Sequence, residues 1–302
     1  MGDLKGAMFI EMRYGVIDIG TNTVHGVVYS VSEKIKTDCD ITLESEILTD
    51  TKNKKLSAEG IEKLILNLKK AVLFFSKEDI DSVFCFATSA MRDIENFNEL
   101  NREARKKCGI DIELLGEDEE ALCDFYAVSG EVGENCDGIG VDLGGGSCQI
   151  FRFNSDKLID KISLIIGVKR LYLRFGDYKD TKSDDINNYL YEQVKRFRKY
   201  KCDNLYIMGG TAKTILKVLK SINGSGDTVY GTDDLKILSK LNYKDSKFAD
   251  ILGNRVNTIE YGISVIKILC SYFDIKKIFF LKCGVREGYI IRNITNSKDS
   301  RK

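Results

Sequence analysis

Gly140-Val141-Asp142-Leu143-Gly144-Gly145-Gly146-Ser147 is the stretch on which the reading of the fold turns. An apolar run delivers one carboxylate to three consecutive glycines and a hydroxyl. Without Cβ atoms, consecutive glycines can turn successive N–H groups into one concavity and bind an anion such as phosphate without Lys or Arg. A plain hairpin turn is the competing reading, and the run alone does not separate the two.

Working outward, the same device occurs near the other end of the chain. Tyr14–Asp18, then Ile19-Gly20-Thr21-Asn22-Thr23, then Val24–Val31 follow the order of Ile139–Phe153: apolar strand, Asp-(Ile or Leu)-Gly, small or polar residues, a hydroxyl, a second strand. In the later copy a turn at Asn154-Ser155-Asp156-Lys157 leads into a further strand, Leu158–Ile166. A device used twice implies duplicated α/β domains, and two such loops can pinch one ligand.

Between the copies, Ser57 is placed to cap a helix whose Ile61, Leu64, Ile65, Leu68 and Val72 fall on one face. Ser82–Ala87 reads as a buried strand running into Thr88-Ser89-Ala90-Met91-Arg92-Asp93. Open α/β sheets bind ligands at such strand ends, and Arg92 offers a planar fork for phosphate, against the competing reading of a solvated arginine. Asp111–Leu115 reads as a strand, after which Gly116-Glu117-Asp118-Glu119-Glu120 opens a helix over Ala121–Val128. Acids suit a first helical turn, and spacing singles out none of these four.

In the second half, Ser183 is read as the cap of an amphipathic helix that ends in the basic run Lys195–Lys201. Leu205–Met208 is a strand entering Gly209-Gly210-Thr211-Ala212, where a helix start can bring N–H groups to an anion. Asn223–Gly231 reads as a loop, Thr258–Phe273 as an apolar helix, and Ile278–Cys283 as a buried strand ending at Gly284-Val285-Arg286-Glu287-Gly288. The residues from Asn293 read as a polar, frayed tail.

A chain of 302 residues exceeds what one hydrophobic core usually supports, so two domains are expected. The 46 basic and 46 acidic residues balance, which leaves no field to attract nucleic acid or an anionic membrane. A polyanion bound here must be gripped locally. Met1–Met12 holds Asp3, Lys5 and Glu11 and suggests neither signal peptide nor anchor, so a cytoplasmic protein is expected. Nine cysteines are scattered without two-residue spacings, and His25 is the only histidine, which argues against a zinc site and for reduced thiols.

Taken together, Asp18-Ile19-Gly20-Thr21-Asn22-Thr23 with His25, Ala87–Asp93 with Asn96, Glu119-Glu120-Ala121, Asp142–Ser147, Gly209–Ala212 and Gly284–Gly288 resemble the motifs of the exopolyphosphatase and guanosine pentaphosphate phosphohydrolase family, in family order. The resemblance implies two duplicated actin-like, sugar-kinase-like (ribonuclease H-like) domains around a cleft. It places them at residues 1–123 and 124–288, with the C-terminal residues 289–302 expected to pack back onto the first domain. It is the short two-domain form that is resembled.

The activity implied is release of a terminal phosphate from inorganic polyphosphate, or of the 5′ γ-phosphate of guanosine pentaphosphate, with Mg²⁺ or Mn²⁺, and a homodimer is among the expectations. By motif, Glu120 would orient or deprotonate water, Asp142 and Asp18 would hold the metal, and Arg92 would supply countercharge. Gly20, Thr21, Asn22, Thr23, Gly144, Gly145, Gly146, Ser147, Gly210 and Thr211 would cradle phosphate. Two departures stand out. Relatives carry Ser-Thr-Glu where this chain has Ser147-Cys148-Gln149, so Gln149 would ligate a metal only through its carbonyl. Relatives also tend to carry an acid after the arginine of Asn254-Arg255-Val256-Asn257. A non-hydrolysing polyphosphate or alarmone sensor and a kinase of the same superfamily are the competing readings.

Overall fold

The computed structural model describes residues 11–133 and 136–299, so most of the segment read for a leader lies outside the described residues. The chain divides into two compact units, Met1–Gly116 and Glu117–Lys302.

In the first unit, β1 (Met12–Ile19), β2 (Thr23–Val31) and β3 (Ile35–Glu44) form an antiparallel meander. Then come α1 (Ile47–Asp50), a ribbon of β4 (Thr51–Lys52) and β5 (Lys55–Leu56), and α2 (Ala58–Phe75). β6 (Ser82–Ala87), α3 (Ser89–Arg92), α4 (Phe97–Cys108) and β7 (Glu113–Leu114) complete it. The sheet order is β3-β2-β1-β6-β7, with β6 parallel to β1 and β7 parallel to β6. Helix α2 begins where expected, because Ser57 Oγ accepts from the Gly60 amide at 3.0 Å. Its Leu64, Ile65 and Leu68 join Ile17, Ile19 and Val24 in one core. Only two residues of the strand expected at Asp111–Leu115 are paired as β7.

The second unit opens with α5 (Glu117–Val132) and a second antiparallel meander, β8 (Asp137–Leu143), β9 (Cys148–Asn154) and β10 (Lys157–Leu164). It continues through α6 (Val168–Phe175), α7 (Ser183–Val194), β11 (Asn204–Met208), α8 (Gly209–Asn223), β12 (Val229–Gly231), α9 (Thr232–Leu238), α10 (Ala249–Leu252), α11 (Ile259–Phe273), β13 (Lys277–Phe280) and α12 (Val285–Asp299). The order is β10-β9-β8-β11-β13-β12, parallel from β8 through β13 and antiparallel at the β12 edge. Both units thus run from an antiparallel meander into parallel strands, which is the duplication read from the two Asp-x-Gly stretches.

Both faces of the second sheet are covered, as a largely parallel sheet requires. Ile139, Val141 and Leu143 of β8 pack with residues of α7, α8 and α11, while Phe151 and Phe153 of β9 pack with Phe125 and Val128 of α5.

The domain boundary differs from the expected 123/124, which falls inside the continuous helix α5. The C-terminal residues differ too. Helix α12 lies in the second unit and crosses α5 so closely that a Cβ on Gly288 would overlap the Cys123 backbone carbonyl. Instead of a frayed tail from Asn293, the helix continues to Asp299, anchored by that crossing.

Smaller differences have local causes. Ser183 is the first helical residue of α7, Lys182 holds the cap position, and the helix stops at Val194 short of the basic run. The loop at Asn223–Gly231 contains the short strand β12, paired to β13, and β13 itself ends at Phe280. All nine cysteines are free thiols. Burial pushes the Cys85 thiol well above its usual range, and that of Cys270 up to about 12, as expected of core residues. Among the described residues no helix is long and apolar enough to cross a membrane.

Candidate functional site

Each unit carries one Asp-x-Gly loop between its first two strands, and both close with the same bond. Gly20 N–H donates to Thr23 carbonyl at 2.9 Å, and Gly144 N–H donates to Ser147 carbonyl at 3.1 Å. In the second loop the remaining carbonyls are also spoken for. Gly144 oxygen accepts from the Val168 amide (3.1 Å), Gly145 oxygen from the amides of Lys169 (2.9 Å) and Arg170 (3.3 Å), and Gly146 oxygen from Arg170 Nε (2.7 Å). The first turn of α6 therefore spends its otherwise unpaired N–H groups on the loop.

A trans peptide points its C=O and the following N–H in opposite directions. With these carbonyls aimed at α6, the N–H groups of Gly145, Gly146 and Ser147 point away from it as one set of donors. Gly167, at the start of α6, makes the close approach possible, since a Cβ there would lie 2.5 Å from the Gly145 carbonyl oxygen. In the first loop, Thr21 oxygen accepts from the Ile47 amide (3.3 Å) and Asn22 oxygen from the Ser45 amide (2.8 Å), which turns the N–H groups of Asn22 and Thr23 outward in the same way.

Asp142 is partly exposed at the end of β8 and sits directly opposite Gln149 of β9. Cross-strand partners share a face, and with period two Asp142 and Gln149 fall on the face of Phe151 and Phe153, the one covered by α5. Asp118, in the first turn of α5, pairs with Lys161 of β10. That turn carries Glu120, which is 6% exposed, and one turn further lies Asp124, fully buried. The carboxylates of Asp142 and Asp124 both act on the Cys148 thiol, whose pKa is raised mainly by burial and further by these charges. The structure thus puts Asp142, Gln149 and the glycine loop on one face of one unit, and α5, the helix that carries Glu120, covers that face.

Gln149 itself is 1% exposed and commits its amide nitrogen to two hydroxyls, Ser147 Oγ at 2.8 Å and Ser163 Oγ at 3.1 Å. Next to Asp142 runs β11, in parallel register, and the helix start that follows it. Gly209 has φ +93°, and a Cβ there would overlap the Asp142 carboxylate and lie 2.9 Å from the Leu143 carbonyl oxygen, so only glycine fits. Over Gly210 lies the Arg255 guanidinium, 2.7 Å from where a Cβ would stand. Burial lowers the Arg255 pKa. Burial, then the charge of Arg286, also holds the Lys213 ammonium below its usual range, with Glu287 and Asp142 pulling the other way. A helix N-terminus, Arg255 and Lys213 together form a positive surround beside Asp142 that suits an anion. Thr211, by contrast, directs its methyl group at Gly262 of α11 and helps pack the helix pair.

The first unit holds the other predicted residues. Asp18 faces His25 across β1 and β2, and His25 Nε2 lies 2.9 Å from Asp40 Oδ2. Arg92 follows the carboxyl end of β6 as expected, and its Nη1 donates to the Leu115 carbonyl at 2.9 Å. Asn96 is structural: its side chain exchanges two hydrogen bonds with the Leu56 backbone, at 2.9 and 3.0 Å.

Sequence reasoning passed over Arg255, Lys213 and Asp124. Arg255 was weighed only for the residue type that follows it, and Asn257 is exposed. The available signal for Asp124 was its spacing, since Glu120 and Asp124 are four apart and share a helix face.

Among the described residues no group of three or more His, Cys, Asp or Glu side chains forms a ready-made metal cage. Mg²⁺ requires none, because it keeps several waters and takes one or two carboxylates plus substrate phosphates. A partly exposed Asp142 whose carboxylate occupies the space left free by Gly209 fits that ion.

The chain is similar to known proteins. A profile of the Ppx/GppA phosphatase family matches residues 37–297. A bifunctional 3-dehydroquinate synthase/phosphatase of Fusobacterium nucleatum is 30% identical, over 93% of this chain and 46% of that protein. Exopolyphosphatase 1 of Mycobacterium bovis is 30% identical over 53% of this chain and 48% of its own length. The chain therefore spans about half the length of the curated relatives it matches. An exopolyphosphatase structure from Cytophaga hutchinsonii superimposes with a TM-score of 0.84 at 22% identity, over 94% of this chain and 98% of that one, which establishes the shared fold.

Proposed function

The chain belongs to the Ppx/GppA phosphatase family, and from that premise we propose that it hydrolyses the terminal phosphoanhydride bond of inorganic polyphosphate, with the 5′ γ-phosphate of guanosine pentaphosphate as the second substrate. The observation that carries this reading is the loop Gly144–Ser147. Its carbonyls are anchored on α6, so its N–H groups form a donor set beside Asp142 and the start of α8.

Phosphoryl transfer to water needs positioned phosphate, countercharge and an oriented water. The amides of Gly145, Gly146 and Ser147 would bind the phosphoryl oxygens, and Arg255 and Lys213 would balance their charge. Glu120, buried in the first turn of α5, would orient the attacking water and accept its proton. Its burial keeps bulk water away from that carboxylate. Asp142 would hold Mg²⁺, to which Gln149 could add only a carbonyl; Asp18, in the other unit, has its role from the family motifs alone. When bound, the ion supplies countercharge to the phosphoryl oxygens. Gly20–Thr23 and Arg92 are assigned to the same reaction by the family motifs.

Phosphate release from polyphosphate and from guanosine pentaphosphate, wild type beside Glu120→Ala, tests the proposal. The substitution is expected to cut turnover by ~100-fold or more, the usual worth of a positioned acid or base. Equal rates in the two proteins would remove Glu120 from the mechanism, and no release by the wild type in Mg²⁺ or Mn²⁺ would remove the activity.

A further inference from the structure

We propose that Gln149 sets the direction of hydrogen bonding at the phosphate loop, so that the Ser147 hydroxyl proton is kept for the bound anion. The inference rests on reading Gly144–Ser147 as a phosphate loop.

A primary amide nitrogen carries two protons, and Gln149 spends both, one on Ser147 Oγ (2.8 Å) and one on Ser163 Oγ (3.1 Å). The amide is buried and stands between the two serines, with Ser163 directly opposite on β10, so in this orientation both of its protons go to hydroxyls. An oxygen that accepts from Gln149 still owns a proton. Among the described residues Ser147 Oγ donates to no acceptor, although the residue is only 4% exposed. A buried hydroxyl with an unspent proton is costly unless something accepts it. The loop amides point away from α6, and a phosphate oxygen held by them would accept that proton.

The residue type at position 149 decides this polarity. A carboxylate only accepts hydrogen bonds, so Glu there would take the Ser147 proton for itself. It would also place a second negative charge directly opposite Asp142. Gln149, of the same shape, avoids both. It is a positioning residue acting through Ser147, and it favours substrates that bring high negative charge to the loop.

A double-mutant cycle reads this directly. Wild type, Ser147→Ala, Gln149→Glu and the double variant would be titrated with inorganic tripolyphosphate by calorimetry in EDTA, so that no metal contributes. Ser147→Ala is expected to weaken binding ~5- to 10-fold in the wild-type background, the worth of one hydrogen bond to a charged group. With Glu at 149, binding is already weak, and removing the Ser147 hydroxyl adds less than about 2-fold, because the hydroxyl no longer faces the anion. Ser147→Thr, which keeps the hydroxyl, is expected to restore most of the affinity in the Gln149 background. Ser163→Ala adds no charge and loosens the amide, so it is expected to weaken binding ~2-fold through the loss of one neutral hydrogen bond.

Two results would overturn the proposal and are distinguishable. If Ser147→Ala costs the same in both backgrounds, as it would were the amide turned so that its oxygen accepts from both serines, the loop binds phosphate but Gln149 does not aim the serine. If the wild type fails to bind tripolyphosphate, the phosphate-loop reading fails and takes this inference with it.

Discussion

The two Asp-x-Gly loops share a backbone and differ in what they do with it. Both close with a glycine N–H to a hydroxyl residue's carbonyl, and both turn further carbonyls toward the amides of a following segment. The first is anchored by the amides of Ser45 and Ile47, and carries Thr21, which is buried, and Asn22, which is partly exposed. The second is anchored by α6, through main-chain amides and the Arg170 side chain, and carries three glycines and the Ser147 hydroxyl. Their cross-strand neighbours diverge as well. His25, opposite Asp18, turns to Asp40 near the surface, while Gln149, opposite Asp142, is buried between two serines of its own sheet. One backbone device thus carries Thr and Asn at its turn in one unit and consecutive glycines in the other. The glycine cradle has more of its carbonyls bonded, and Arg255 and Lys213 stand near its aspartate.

That asymmetry makes the two aspartates inequivalent. Asp142→Ala is expected to lower phosphate release ~1000-fold, at the upper end of what removal of one electrostatic group costs. Asp18→Ala should lower it ~10-fold, since fewer carbonyls of its loop are bonded and its amides are less firmly placed. Initial rates at saturating Mg²⁺, with circular dichroism to confirm folding, measure both. Equal losses would break the comparison and make the loops functionally symmetric.

Gly167 sharpens it further, because the close approach of α6 to the cradle passes through this residue. A side chain at 167 would force the first turn of α6 back from Gly145 and Gly146. Gly167→Ala is expected to cost ~1–3 kcal/mol of stability, as overpacking does. It should also cut turnover ~100-fold, the penalty for displacing reacting groups by about 1 Å. Urea unfolding and steady-state kinetics on the same preparation separate the two effects. A stable variant with full activity would show that the loop does not depend on α6.

Much of this was legible in the sequence, and the reasons are physical. Both loops, Arg92 after β6 and the glycines opening α8 could be read because a strand running into Gly, Asp or a hydroxyl has few alternative conformations. The duplication was legible because a local pattern occurred twice. The α5–α12 crossing was not, since what permits it is the lack of a side chain at Gly288 against a backbone carbonyl far away in sequence. Arg255 was missed for the same reason: its role comes from the residue it lies over, Gly210, and nothing in Asn254–Asn257 announces that contact. Gln149 was noticed as a departure, yet its meaning depended on Ser163, which only strand register supplies.

The smallest effect is expected at the first loop's counterpart of Gln149. The His25–Asp40 contact is 2.9 Å, but Asp40 is half exposed, and exposed pairs of this kind are worth about 1 kcal/mol or less. Asp40→Asn should therefore shift the urea midpoint little and leave phosphate release within ~2-fold, because a surface pair in high dielectric transmits little to Asp18. The matched change in the other unit, Gln149→Glu, alters a buried amide beside the cradle. Measured side by side under one buffer, the pair asks whether the position opposite the loop aspartate matters in both units or in one. A loss from Asp40→Asn as large as that from Gln149→Glu would mean that His25 serves its loop as Gln149 serves the other. The difference between the loops would then lie in side-chain type alone and not in how deeply each neighbour is buried.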